Sequence, residues 1–207
     1  QLVQDIALMN LPVRLVIDRA GCVGQDGETH QGFYDIAFMA ALPHIKILSA
    51  RDADELVRML GFMQKYDAGP IAVRFPKKEF APFDLKPVLK AGRDKAYNPF
   101  SAQLLAKGRD ILILSEGVFA QHALKARELL MANGISAEVM DVRSLRPLPL
   151  GDITRALRGK KLLVTLENHG LTGGLADLVS AALRDKKIKI PQLAIGYPEE
   201  VVPHGSI

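Results

Sequence analysis

Three side chains in one glycine-rich stretch, Arg19, Asp26 and His30, are of types that handle a small phosphorylated and hydroxylated substrate. Arg19 is a permanent cation with a planar fork of donors, suited to phosphate or carboxylate. Asp26 is an acceptor for sugar hydroxyls. His30, with an ordinary pKa of about 6.5, can carry a proton near neutrality. It is expected where the next helix starts, where the helix dipole disfavours its charged form. Arg74 lies further along, near the end of a β-branched run and just before Pro76. If the strands are parallel, Arg19 and Arg74 project from the same sheet edge and can clamp one phosphate. The plainer readings are a structural loop histidine and a strand-end arginine in a surface ion pair. Cys22 has no nearby histidine to make it a nucleophile and reads as packing. Gly173-Gly174 reads as a helix-start turn, because it lacks the spacing of a dinucleotide fingerprint. His169 ends a strand and reads as an interface residue. No His/Asp/Glu spacing makes a complete metal site.

The elements that must position these groups follow from periodicity. Leu2 to Asn10 reads as a helix with Leu2, Ile6 and Met9 on one stripe. Val13 to Ile17 reads as a buried strand. Asp18 to Gly32, with glycines at 21, 24, 27 and 32, is a long loop directly after it. Ligands of open α/β sheets bind beyond the carboxyl ends of strands, which makes that loop the leading site. Gln31 to Leu42 reads as helix and His44 to Ser49 as strand. Asp52 with Glu55 begins a helix to about Lys65, with Leu56, Met59, Leu60 and Met63 inward. Ile71 to Phe75 is a third strand. Alternation of strand and helix predicts a parallel sheet. Pro76 to Pro99 is proline-rich and weakly periodic. A second series follows: strands at Ile111 to Leu114, Ile135 to Val142, Lys161 to Leu166 and Ile190 to Ile195, and helices at Phe119 to Asn133, Leu150 to Leu157 and Gly174 to Arg184. The predicted fold is α/β, two doubly wound domains each with a mainly parallel sheet flanked by helices. Their predicted bounds are 1–80 and 101–207, with 81–100 as linker.

Composition narrows the classes. The 207 residues are 48% hydrophobic and 24% charged, with a net charge of +4. Those proportions suit a globular protein. The basic residues are dispersed, tryptophan is absent, and no aromatic interleaving offers base stacking, so nucleic acid is not an expected partner. No apolar run reaches the ~18–20 residues that span a bilayer. A single cysteine excludes an internal disulfide and fits a reducing cytoplasm. The chain begins at Gln1 and stops at Ile207 without a closing helix, so both ends are expected to be cut from a longer protein.

Asp18-Arg19-Ala20-Gly21, then Asp26-Gly27, Thr29-His30-Gln31-Gly32 and Asp35, resemble the DRAG-x-VG-x-DG-x-THxG-x-x-D pattern of 1-deoxy-D-xylulose-5-phosphate synthases. Ala72 to Pro76 is similar to that family's VRYP element, and Leu166-Glu167-Asn168 with Gly173-Gly174 to its EEN…GG segment. Pro203 to Ser206 is similar to its EHGS, with Pro203 at the glutamate position. Lys77-Lys78 replaces the usual Arg-Gly. The Asp-Gly-x-Thr-His-Gln core alone is shared with transketolases.

The resemblance implies a thiamine-diphosphate and Mg2+ enzyme that condenses pyruvate with glyceraldehyde 3-phosphate and releases CO2, working in the cytoplasm as a homodimer. It implies that Arg19 and Arg74 hold the acceptor phosphate, that Asp26 supports the acceptor, and that His30 contacts the cofactor-bound intermediate. The family's diphosphate- and magnesium-binding domain and its activating glutamate would lie upstream of Gln1. Residues 1–207 alone are therefore expected to be inactive and to bind no cofactor. Other readings are a transketolase, a split-transketolase C-terminal subunit, or a non-catalytic dimerisation module.

Overall fold

The computed structural model describes residues 1–77 and 97–205. Most of the predicted linker, residues 81–96, lies outside the described residues.

The first half is a three-stranded parallel unit. Strands β1 (Arg14–Ile17), β2 (Lys46–Ser49) and β3 (Ile71–Arg74) pair in the order β1-β3-β2, with Ile17 and Ser49 both in register with Arg74. Helices α1 (Asp35–Ala40) and α2 (Ala53–Met63) connect them. Asp52 caps α2, its Oδ1 accepting the Glu55 amide at 2.8 Å. That satisfies one of the orphan donors of the first turn. Met59 and Met63 are buried, whereas Leu60 faces solvent, against expectation.

Three further expectations are corrected. Leu2–Ala7 is a wide helix with i→i+5 bonds, such as Leu8 N to Val3 O at 2.9 Å. β1 is an edge strand with alternate residues exposed, so it is half-buried. α1 starts at Asp35 because Gly32 is held in a two-bond bridge to Gly21, which no helix permits.

The second half holds a five-stranded sheet of order β4-β6-β5-β8-β9. Its strands are β4 (Gln103–Ala106), β5 (Ile111–Ser115), β6 (Ala137–Asp141), β8 (Leu162–Gly170) and β9 (Gln192–Tyr197). All pair in parallel except β4, which runs antiparallel along β6. Helices α3 (Phe119–Ala132), α4 (Leu150–Ala156) and α5 (Leu175–Asp185) flank it. Both sheets are thus mainly parallel and helix-flanked, the doubly wound α/β arrangement.

The halves are knit together. Strand β7 (Ser144–Arg146), from the second half, adds antiparallel to β2 of the first sheet. One apolar cluster runs through Ile36, Met39 and Ile47 of the first half and Leu112, Leu145 and Leu175 of the second. Two polar clusters accompany it. Arg51 pairs with Asp141 at 3.1 Å, while Arg143 Nε lies 2.9 Å from Glu55 and Tyr97 donates to Glu55 at 2.7 Å. The other polar cluster lies under the loop of residues 18–32. Among the described residues no helix is long and apolar enough to cross a membrane.

Candidate functional site

The loop leaves β1 at its carboxyl end and is folded back on itself. Gly21 and Gly32 exchange two backbone hydrogen bonds, each 2.8 Å, so the residues between them form a closed lobe. Gly21 has φ +80, and a Cβ there would lie 2.0 Å from Asn168 Oδ1. Only glycine meets both demands. Asn168 reaches under the lobe from the end of β8, where its Nδ2 donates to Ala20 O at 3.1 Å. Gln31 ties the lobe elsewhere: its Oε1 accepts Val23 N at 3.0 Å, and its Nε2 donates to Val202 O at 3.4 Å. The lobe therefore rests on both halves of the molecule.

On the outer side stand the charged groups. Arg19 Nε donates to Asp26 Oδ2 at 2.9 Å. Lys77 Nζ pairs with the other oxygen of the same carboxylate, and Arg19 Nη1 pairs with Asp18. Arg19 and Lys77 therefore bracket one anionic group from two directions. The pairing holds the Asp26 carboxyl below its ordinary range, chiefly through the Lys77 hydrogen bond. It raises the Arg19 guanidinium, chiefly through its bond to Asp26. His30 is exposed at the end of a short turn, Glu28–His30, with Thr29 Oγ1 3.0 Å from its Nδ1. Because α1 begins five residues later, its dipole does not act on His30 as expected from the sequence.

Arg74 lies elsewhere. Its side chain is 1% exposed, and all three guanidinium nitrogens have partners beneath the loop. Nε donates to Asp35 Oδ2 at 2.8 Å, and Nη2 to Asp35 Oδ1, Asn168 O and Gly32 O at 3.2, 3.1 and 3.3 Å. Nη1 pairs with Glu116. Each of its three nitrogens has a protein partner and the side chain is buried, so the structure does not pair Arg74 with Arg19 at the surface as a phosphate clamp. The second cation beside Arg19 is that of Lys77, three residues on, through the Asp26 carboxylate that both share.

Sequence reasoning missed Glu116 and the role of Glu167. Glu116 Oε1 also accepts Ser49 Oγ, and Oε2 takes the Asn168 amide at 3.0 Å. It follows a fully buried strand, and a lone acid after an apolar run carries no periodic signal. Glu167 caps α5, accepting Leu175 N at 2.5 Å and Ala176 N at 3.1 Å. A Cβ on Gly174 would lie 2.0 Å from its Oε2, which is why a glycine stands there. Burial pushes the Glu167 carboxyl up to about 8 despite those two donors. His169 is buried with its Nε2 3.8 Å from Asp35, and burial together with Arg74 lowers its pKa.

Among the described residues no group of histidine, cysteine and acidic side chains could hold a metal ion. A cavity of about 740 Å³ lined by Leu183, Arg184, Lys187 and Gln192 lies at the end of α5 remote from Glu167. It shares no residue with the loop.

Comparison with known proteins places this geometry. Residues 1–82 match the transketolase pyrimidine binding domain, and residues 101–207 the transketolase C-terminal domain. The 1-deoxy-D-xylulose-5-phosphate synthase of Caldanaerobacter subterraneus subsp. tengcongensis is 34% identical over 209 residues, covering 100% of this chain and 32% of that protein. The synthase of Rhodobacter capsulatus is 42% identical over 182 residues, covering 86% and 27%. The chain thus spans about a third of the length of these curated relatives. A solved structure described as "Split gene transketolase, inactive beta4 tetramer" superposes with a TM-score of 0.81 at 26% identity, covering 97% of this chain and 62% of that one. The chain belongs to the transketolase family of thiamine-diphosphate-dependent transferases, whose pyrimidine-binding and C-terminal domains it carries in that order.

Proposed function

We propose that this chain forms the acceptor-binding part of a 1-deoxy-D-xylulose-5-phosphate synthase, which joins pyruvate to glyceraldehyde 3-phosphate with loss of CO2. The observation that carries the reading is the shared carboxylate. Arg19 and Lys77 lie close enough to hold one anion between them, at the carboxyl edge of a parallel sheet. A phosphate monoester offers several acceptor oxygens to such a pair, and a guanidinium with an ammonium gives it both directional and diffuse attraction. The synthases that resemble this chain over its full length supply the reaction.

Each residue then has a task. Arg19 and Lys77 bind the phosphate. Asp26 accepts from an acceptor hydroxyl. His30, exposed on the loop, gives a proton to the oxygen of the acceptor aldehyde as it becomes an alcohol. Arg74 acts through the loop, as a positioning residue. Thiamine diphosphate supplies the acyl-anion chemistry when bound. Its diphosphate and Mg2+ are assigned to a part of the synthase other than the two domains this chain carries, so the chain by itself is expected not to turn over pyruvate.

The test is a calorimetric titration of the 207-residue chain with glyceraldehyde 3-phosphate and with glyceraldehyde. Only the phosphorylated compound is expected to bind measurably. Lys77→Gln and Arg19→Gln should each weaken it by roughly 10–100-fold, the usual effect of losing a charge-assisted hydrogen bond. Equal binding of the two compounds would remove the phosphate reading. The likeness to a split-gene transketolase favours one alternative, a separate subunit of a two-chain transketolase. Co-purification of a second polypeptide carrying the diphosphate-binding domain would select it.

A further inference from the structure

The carboxylate that pairs with both cations stands where the anionic ligand should sit. Arg19 and Lys77 contribute two positive charges, and Asp26 and Asp18 two negative ones, so the cluster has no net formal charge. A site built only to attract phosphate would not cancel itself. Side-chain exposures of 44% for Arg19, 45% for Lys77 and 20% for Asp26 mark these as wet ion pairs. Pairs of that kind contribute little net stability and open readily. The backbone has room for the change. Asp26 closes a single turn, Gly24–Asp26, and is followed by Gly27 at φ +85 with no atom within 4 Å of where a Cβ would lie.

We propose that Asp26 is an exchangeable counter-ion: it occupies the phosphate position between Arg19 and Lys77 and gives way to an incoming phosphate dianion. The displaced carboxylate then becomes free to accept from the acceptor's hydroxyl. This rests on the phosphate reading above and adds a selection rule to it. A carboxylate ligand would only exchange one singly charged group for another. A phosphate dianion brings more charge and more acceptor oxygens, so it alone displaces Asp26 with net gain. Phosphate binding and engagement of the sugar oxygens become a single event at one residue.

Calorimetry with inorganic phosphate and with acetate, on the 207-residue chain, tests this. Asp26→Asn removes the competitor and is expected to bind inorganic phosphate about 5–10-fold more tightly than the parent. Its preference for phosphate over acetate should shrink. Asp26→Glu keeps the charge and should lose most of that gain. Lys77→Gln should bind phosphate at least about 10-fold more weakly. Unchanged or weaker binding by Asp26→Asn, with Lys77→Gln still impaired, would overturn the exchange and leave the phosphate reading standing. Equal tightening in the Asn and Glu variants would mean a packing effect and also overturn it. Failure of inorganic phosphate to bind the parent or Asp26→Asn would overturn both. Matching melting temperatures among the variants establish that each is folded.

Discussion

Arg74 and Lys77 stand three residues apart and have opposite fates. Arg74 ends β3 with its side chain beneath the loop, where Asp35 and Glu116 converge on it from the two halves. Lys77, past Pro76, returns to the surface and meets Asp26. Arg74→Ala would leave two buried carboxylates without their cation. It should destabilise the fold by about 3–5 kcal/mol, measured by urea denaturation. Lys77→Gln should leave the denaturation midpoint nearly unchanged. A stable Arg74→Ala chain with impaired phosphate binding would return Arg74 to the clamp. From sequence the two were not separable. An arginine at a strand end reads equally as ligand, surface pair or buried anchor, and what decides is Glu116, more than forty residues away. The pairing of Arg19 with Asp26 is the part that could be anticipated, because one loop carries both.

Among the elements, the long apolar ones were readable. β5, α3 and α5 each bear a clear period or run, bounded by glycine or a cap, and they lie where expected. β4 and β7 were not readable: each has four residues or fewer, and each exists because a neighbouring strand presents an edge. The helix expected from Gln31 fails for a tertiary reason, the Gly21–Gly32 bridge. The junction of β8 with α5 carries its own expectation. Glu167, pushed to about 8 by burial, has an ordinary value of 4.5. As pH rises between those values, the unfolded chain gives up a proton that the folded chain keeps, so stability falls; above about 8 both forms are ionised and the slope vanishes. Asp141, raised to about 7 by burial, acts in the same sense. The parent should therefore melt several degrees lower at about pH 8.5 than at about pH 5.5, and Glu167→Gln should flatten part of that slope. Identical slopes for the two proteins would mean that Glu167 is ionised throughout.

At the scale of the whole molecule, the site is a product of both halves. The loop comes from the first, but Asn168 supports it, Glu116 fixes Arg74 beneath it, and Val202 holds Gln31. Chain order alone gave two sheets and a connecting stretch. It did not give the seam between them, because pairs such as Arg74 with Glu116 and Arg51 with Asp141 obey no sequence spacing. The seam holds the glycine loop in place, and with it the rim where Arg19 and Lys77 share Asp26. Binding should therefore be local, saturable and confined to that rim. The direct measurement is a phosphate titration of the isotope-labelled chain followed by amide NMR. The expected result is saturable shifts at Arg19, Asp26, Gly27 and Lys77, with the amides of Arg184, Lys187 and Lys189 unmoved. Saturable shifts at the α5 cavity with the loop silent would contradict the account.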